Sequence, residues 1–173
     1  MSHGHALRAR LMKSLERILL EHPFTRDLDP RHVKTLAGCA RKCLLPAGKY
    51  LWRQGDEANE LYLIRSGVVA IGIVIPHEDL LQVETVGRGE VVGWSWFMAP
   101  YHLHFDSCAL TRVEALVLEG RRLRQLCERD FELRCELLSR IAPIIVRRLE
   151  ASQKKLIESH QGWISQKLTP SRP

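Results

Sequence analysis

The spacing of apolar residues divides the chain into a helical beginning, a β-rich middle and a helical end. Over residues 6–22 they recur every three or four positions, which predicts an amphipathic helix. Asp29 can cap a second helix, which begins at Pro30 and is expected to run to about Arg41. We therefore expect residues 1–42 to form N-terminal helices.

Over residues 43–119 the period of the apolar residues changes to two. Short apolar runs are separated by turns that contain glycine, a pattern that predicts a small antiparallel β-roll or barrel. The clearest predicted strands are Tyr50–Trp52, Leu61–Ile64, Val68–Ile75, Leu80–Val86 and Ala115–Leu118.

Helical spacing returns over residues 120–160, where Phe131 to Ser159 is predicted to be one long helix. Pro143 is expected to kink it or to mark the junction of two helices. A mostly apolar seven-residue repeat in this helix predicts a seam for a homodimer. Its members are Leu138, Ala142, Ile145, Leu149, Ser152 and Leu156. Residues 161–173 have no such spacing and are expected to be a flexible tail.

The predicted fold class is therefore α+β. An antiparallel β-roll of the double-stranded β-helix or jelly-roll kind, as in cupins, lies between the N-terminal helices and the long C-terminal helix.

One stretch of the middle region, residues 93–110, interrupts the alternation. Three aromatic residues fall within the four positions 94–97, directly after Gly93, and Pro100 ends the run. Such a run closed by a proline predicts a single helical turn within the sheet. Because the first N–H groups of a helical turn lack partners and attract anions, we expect the functional site here.

Composition indicates a soluble cytoplasmic protein. Of its 173 residues, 45% are apolar and 27% are charged, as is usual for a globular domain. No apolar run approaches the roughly 18 residues that a membrane helix needs, and the N-terminus does not resemble a signal peptide. The five cysteines contain no C-x-x-C pair, which favours reduced thiols over disulfides or a metal cluster.

The net charge of +6 lies entirely at the C-terminal end, where residues 121–173 contain 12 basic and 6 acidic residues. A basic helix can bind an anionic partner, but a solvated helix face is the favoured interpretation.

The glycine-containing turns occur in an order that characterises one protein family. The motifs are Leu45-Pro46-Ala47-Gly48, Gln54-Gly55-Asp56, Leu61-Tyr62-Leu63-Ile64 with Ser66-Gly67, Gly89-Glu90-Val91-Val92-Gly93, and the strand from Ala109 through Ala115. With these motifs the chain resembles a cyclic nucleotide-binding domain of the Crp/Fnr type, from about Pro23 to Leu156. The resemblance implies a regulatory β-roll that binds cAMP or cGMP and signals through the long helix, without enzymatic activity.

In that family the turn after the glycine is the phosphate-binding cassette. Its backbone N–H groups and an arginine hold the cyclic phosphate, and a glutamate directly after the glycine binds the ribose hydroxyl. Here Trp94 occupies the glutamate position and Leu103 the arginine position, followed by His104. Losing a charge-assisted pair to a phosphate weakens binding roughly 10–100-fold. We therefore expect a degenerate cassette.

The predicted ligand-binding residues are Gly93, Trp94, Ser95, Trp96, Leu103, His104 and Ser107. In this hypothesis the main chain of residues 93–95 and the two serine hydroxyls hold the anion. Trp94 or Trp96 packs against the organic part, although both tryptophans also suit a filled core. His102 or His104, if protonated, would replace the missing arginine in part.

Two alternatives remain open. The first is an interaction module that keeps the scaffold, binds no ligand and uses the basic C-terminal helix to bind a protein partner or another copy of the chain. The second is a metal site of the cupin type at His102, His104 and Asp106, which would share one face of an extended segment. Because only residues 159–173 follow the long helix, no helix-turn-helix is expected, and with it no sequence-specific DNA binding.

Overall fold

The structure, a computed structural model, describes residues 2–75 and 80–168, with side chains described for residues 7–75 and 80–160. Two helices precede the sheets, α1 (Ser2–Glu21) and α2 (Pro30–Ala37). Two more follow them, α3 (Gly120–Arg129) and α4 (Phe131–Leu168). The predicted cap of α2 is confirmed, since Asp29 accepts a hydrogen bond from the N–H of Arg31 at 2.8 Å.

The described middle of the chain forms eight antiparallel strands. They are β1 (Ala40–Leu45), β2 (Tyr50–Trp52), β3 (Glu60–Ser66), β4 (Val69–Val74), β5 (Leu80–Val86), β6 (Val91–Val92), β7 (Asp106–Ala109) and β8 (Val113–Glu119). One sheet has the order β1-β8-β3-β6 and the other the order β2-β7-β4-β5. The predicted α+β fold with an antiparallel β-roll is confirmed.

The two inner strands of the first sheet, β3 and β8, are buried on both faces. Leu61 and Leu63 of β3 belong to a core shared with the helices, whereas Tyr62 and Ile64 belong to a second core between the two sheets. This division follows from the alternation of side chains along a strand. The helices are therefore packed against the outer face of the roll.

Two helix ends differ from the sequence prediction. Helix α2 ends at Ala37, because the chain turns at Gly38 and enters β1 at Ala40. Helix α4 continues through Pro143, so of the two expectations for this residue the junction of two helices is wrong. It also extends to Leu168, beyond the boundary predicted at residue 160. This extension includes Gly162, and a single glycine destabilises a helix by only about 1 kcal/mol relative to alanine. The predicted tail is thus helical as far as Leu168, and residues 169–173 lie outside the described residues.

The described helices include none that is both long enough and apolar enough to cross a bilayer.

Candidate functional site

The aromatic run after Gly93 forms one turn of 3-10 helix, Trp94–Phe97, as predicted. Gly93 has a φ of 90°, in the left-handed region that favours glycine, and it turns the chain out of β6 into this helix. The side chains of Trp94, Ser95 and Trp96 are all buried. The interruption of the sheet is therefore built into the core of the molecule.

A cavity of about 20 Å³ lies beside this turn, and we refer to it as the roll cavity. Five of the seven predicted residues line it: Gly93, Trp94, Ser95, Leu103 and His104. Small-molecule sites commonly measure about 300–1,000 Å³, and about 10–15 Å³ is enough for one water molecule. The roll cavity is thus closed to a nucleotide in this arrangement.

Two buried apolar side chains form part of the wall of this small cavity. Trp94 and Leu103 are 8% and 7% exposed, and both line the roll cavity. The Trp94 ring lies 6.2 Å from the ring of His104, measured between centroids. Leu103 and Trp94 occupy the positions at which the resemblance places arginine and glutamate. Both differences from the family pattern therefore lie on the wall of one cavity, where apolar side chains replace the charged ones.

Two predicted ligand residues are placed elsewhere. Trp96 is fully buried against Phe97, with ring centroids 5.2 Å apart, and its carbonyl accepts a hydrogen bond from Arg124 of α3. Trp96 therefore belongs to the contact between the turn and α3. Ser107 is fully buried in β7 but does not line the roll cavity.

The alternative metal site is not formed. Asp106 is 5% exposed, and its carboxylate accepts hydrogen bonds from the N–H groups of Gln54 at 3.3 Å and Val74 at 2.8 Å. His102 lies on an isolated bridge to Glu57. In the part of the chain that the structure describes, no three histidine, cysteine or acidic residues are placed to hold a metal ion.

Arg148 also lines the roll cavity, and the sequence prediction did not include it. It extends from α4, is 5% exposed and donates from Nε to Oε2 of Glu84 at 2.8 Å. Its Nη2 has no hydrogen-bond partner among the described residues. A signal was present, because Arg148 lies seven and eleven positions after the buried Ile141 and Leu137, on the same helix face.

The sequence profile of the cyclic nucleotide-binding domain matches residues 42–130, about half of the chain. The chain belongs to the cyclic nucleotide-binding domain family. The resemblance to a Crp/Fnr-type domain is thereby confirmed, together with the fold that it implied. A search of curated proteins gave no match.

Solved structures share this fold over most of the chain. One, from Geobacter metallireducens GS-15, carries the name of a cyclic nucleotide-binding protein. It is 25% identical, with a TM-score of 0.70 over 79% of this chain and 98% of that chain. A cyclic nucleotide-binding domain from Methylobacillus flagellatus KT is 20% identical, with a TM-score of 0.67 over 87% of this chain and 84% of that chain.

A third similar structure is the regulatory subunit of a cAMP-independent protein kinase A from Trypanosoma brucei. It is 24% identical, with a TM-score of 0.64 over 86% of this chain and 52% of that chain. A triple variant of that subunit, in which one substitution introduces an arginine, is described as bound to cAMP in its A site.

Proposed function

We propose that this protein is a regulatory domain that binds a small anionic ligand in the roll cavity and transmits its occupancy through α4. The candidate ligands are the cyclic nucleotides cAMP and cGMP, or a smaller anion. Residues 43–119 would bind the ligand, and residues 120–160 would signal. The observation that supports this proposal is that Arg148 of α4 forms part of the cavity wall, so the long helix and the ligand would meet directly.

In this proposal the protein has a closed arrangement without ligand and an open arrangement with ligand, and the small roll cavity belongs to the closed one. A ligand that binds only the open arrangement shifts the population toward that arrangement. Because part of the binding free energy is used to open the cavity, the apparent affinity of the ligand is reduced. Trp94 and Leu103 would have to move aside, and neither offers a charge to a phosphate. We therefore propose weak binding of cyclic nucleotides. The relative named as cAMP-independent has a triple variant bound to cAMP, and one of its three substitutions introduces an arginine.

We also propose that α4 forms a homodimer through the seven-residue repeat. Leu138, Leu149 and Leu156 of that repeat are 44%, 57% and 71% exposed. Large apolar side chains repeated along one helix face gain most when a second helix covers them. We propose no catalytic role, and we propose a cytoplasmic location.

Isothermal titration calorimetry with cAMP and cGMP, up to millimolar concentration, tests the proposed ligand class. The proposal predicts saturable heat, accompanied by a change in tryptophan fluorescence, because Trp94 lines the roll cavity. Adenosine, which lacks the phosphate, is the matched control and should bind at least about tenfold more weakly if a charge-assisted contact is lost. If neither cAMP nor cGMP gives saturable heat, both nucleotides are rejected as ligands.

The closed cavity also favours a second candidate, a domain that binds no ligand and acts only through protein contacts. In that case the tryptophan at position 94 is a permanent part of the core. The two candidates differ in one measurement. A ligand-binding domain changes its dimerisation constant when cAMP, cGMP or phosphate is added at fixed ionic strength, whereas a ligand-free module does not.

A further inference from the structure

The buried guanidinium of Arg148 has an incomplete set of hydrogen bonds within the described residues. Arginine carries five N–H donors and stays charged at any physiological pH. Arg148 is 5% exposed, yet only its Nε is paired, with Glu84, and its Nη2 has no partner in the described part of the chain. Buried donors are ordinarily paired, so an unpaired donor on a residue that lines the roll cavity indicates a position for an acceptor.

Glu84 is shared between two arginines. Its side chain is 13% exposed, and its Oε1 lies 3.3 Å from Nε of Arg147, the neighbour of Arg148 on α4. Arg147 has a second carboxylate as well, since its Nη2 lies 2.9 Å from Oε1 of Glu90. Glu84 would therefore keep a cationic partner if Arg148 left it. Arg148, in contrast, has no second carboxylate among the described ion pairs.

We propose that Arg148 is the residue that binds the anionic group of the ligand, and that Glu84 is the internal anion that this group replaces. This inference rests on the proposed function, because it assigns a cation to the same cavity. It supplies from α4 the charge that Leu103 does not provide. The class of ligand group is an oxyanion, a phosphate or a carboxylate, which the planar guanidinium can bind through two parallel N–H groups.

Competition between Glu84 and the ligand has a measurable consequence. Glu84→Gln keeps the shape and the acceptor oxygen but removes the charge that holds Arg148. The variant should therefore bind an oxyanion more tightly than the natural protein does. Glu90→Gln is the matched control, because it removes an equal charge nearby from a carboxylate that contacts Arg147.

The experiment titrates inorganic phosphate and, separately, cAMP and cGMP into the full chain, with total ionic strength held constant with chloride. Calorimetry gives the dissociation constant, and tryptophan fluorescence reports on the cavity. We expect Glu84→Gln to bind phosphate about tenfold more tightly than the natural chain and Glu90→Gln to change the constant less than about twofold. Arg148→Met should weaken binding at least about tenfold, with Arg147→Met as its control.

The possible results separate this inference from the proposed function. Binding that is equal in the Arg148→Met and Arg147→Met variants overturns the role of Arg148, while the regulatory proposal stands. Phosphate binding that depends on Arg148 without any binding of cAMP or cGMP supports the inference and rejects the nucleotide ligands. No binding to any chain, Glu84→Gln included, overturns both. If Arg148→Met does not fold, the two glutamate variants test the inference instead. Tighter phosphate binding by Glu84→Gln than by Glu90→Gln supports it, and equal binding by the two variants overturns it.

Discussion

Gly93 lies directly against the backbone carbonyl of Glu60. A methyl group added at Gly93 would lie 2.3 Å from the Glu60 oxygen, well inside van der Waals contact. Gly93 also has a φ of 90°, where residues with a side chain are strained. This contact therefore fixes the point at which the chain leaves β6 and begins the 3-10 turn.

Replacement of Gly93 by alanine is expected to destabilise the protein by at least about 2 kcal/mol, from left-handed strain together with steric overlap. Gly87→Ala is the matched control, because a methyl group there meets no atom within 4 Å. Urea unfolding followed by circular dichroism gives the free energy of unfolding of each variant. Equal losses in the two variants would contradict this account of the turn.

The turn and the roll were predictable because their signals are local. Gly93, the aromatic run and Pro100 follow one another, and β3 and β8 are short apolar runs bounded by polar or glycine-containing segments. At these positions the local backbone preference and the burial of the side chains favour the same conformation, so the sequence pattern predicts the structure.

The parts that the sequence did not predict depend on distant partners. Strand β7 begins with Asp106, a poor strand residue, which is tolerated because it accepts the N–H groups of Gln54 and Val74. The spacing of Arg148 places it on the buried face of α4, but an arginine next to Arg147 would ordinarily be assigned to solvent. Its burial depends on Glu84, 64 positions earlier in the chain, and that pairing has no local pattern.

His22 gives the protein a predictable response to pH. The ring is 4% exposed, its Nδ1 accepts the N–H of Phe24, and its Nε2 lies 3.2 Å from the carbonyl oxygen of Ile64. These partners require the neutral tautomer with hydrogen on Nε2. Burial lowers the pKa of His22 below its usual value, and the nearby charge of Arg65 lowers this pKa further.

The unfolded chain therefore takes up a proton at His22 at a higher pH than the folded protein does. This linkage means that the stabilising contribution of neutral His22 is complete well above pH 6.5 and decreases as the pH falls below about 6.5. We expect His22→Gln, which keeps a donor for Ile64, to flatten the dependence of unfolding free energy on pH between about 7.5 and 5. Urea titrations across this interval measure it. An unchanged slope would show that His22 is not the group that titrates.

The exposed seam of α4 leads to a prediction about assembly. Leu149→Lys places a charge in the centre of the seven-residue repeat, where Leu149 is 57% exposed in the single chain. Because a dimer would bury this position, the variant should be monomeric at concentrations at which the natural chain dimerises. Glu150→Lys introduces the same residue one position outside the repeat and should leave the dimer intact. Sedimentation equilibrium distinguishes these results, and a monomeric natural chain would contradict the proposal.

The effect of the two altered cassette positions on nucleotide binding can be tested by restoring the residues that the family has there. Trp94→Glu combined with Leu103→Arg supplies the ribose acceptor and the phosphate cation at positions that both line the roll cavity. Each restored charge-assisted contact adds roughly 1.5–3 kcal/mol of binding free energy. The double variant should therefore bind cAMP at least about tenfold more tightly than the natural chain, as measured by calorimetry.

The control for this experiment places the same two charges outside the cavity, as Met98→Glu with Leu110→Arg. Met98 and Leu110 are 40% and 48% exposed, so these substitutions alter the surface charge without opening the core. A gain confined to the cavity variant would mean that the natural residues at positions 94 and 103 are what disfavour the nucleotide. An equal gain in the control would mean that the added charges act from the surface and not within the cavity. A folded cavity variant that binds no cAMP would mean that the closed roll itself excludes the nucleotide, whatever residues line it.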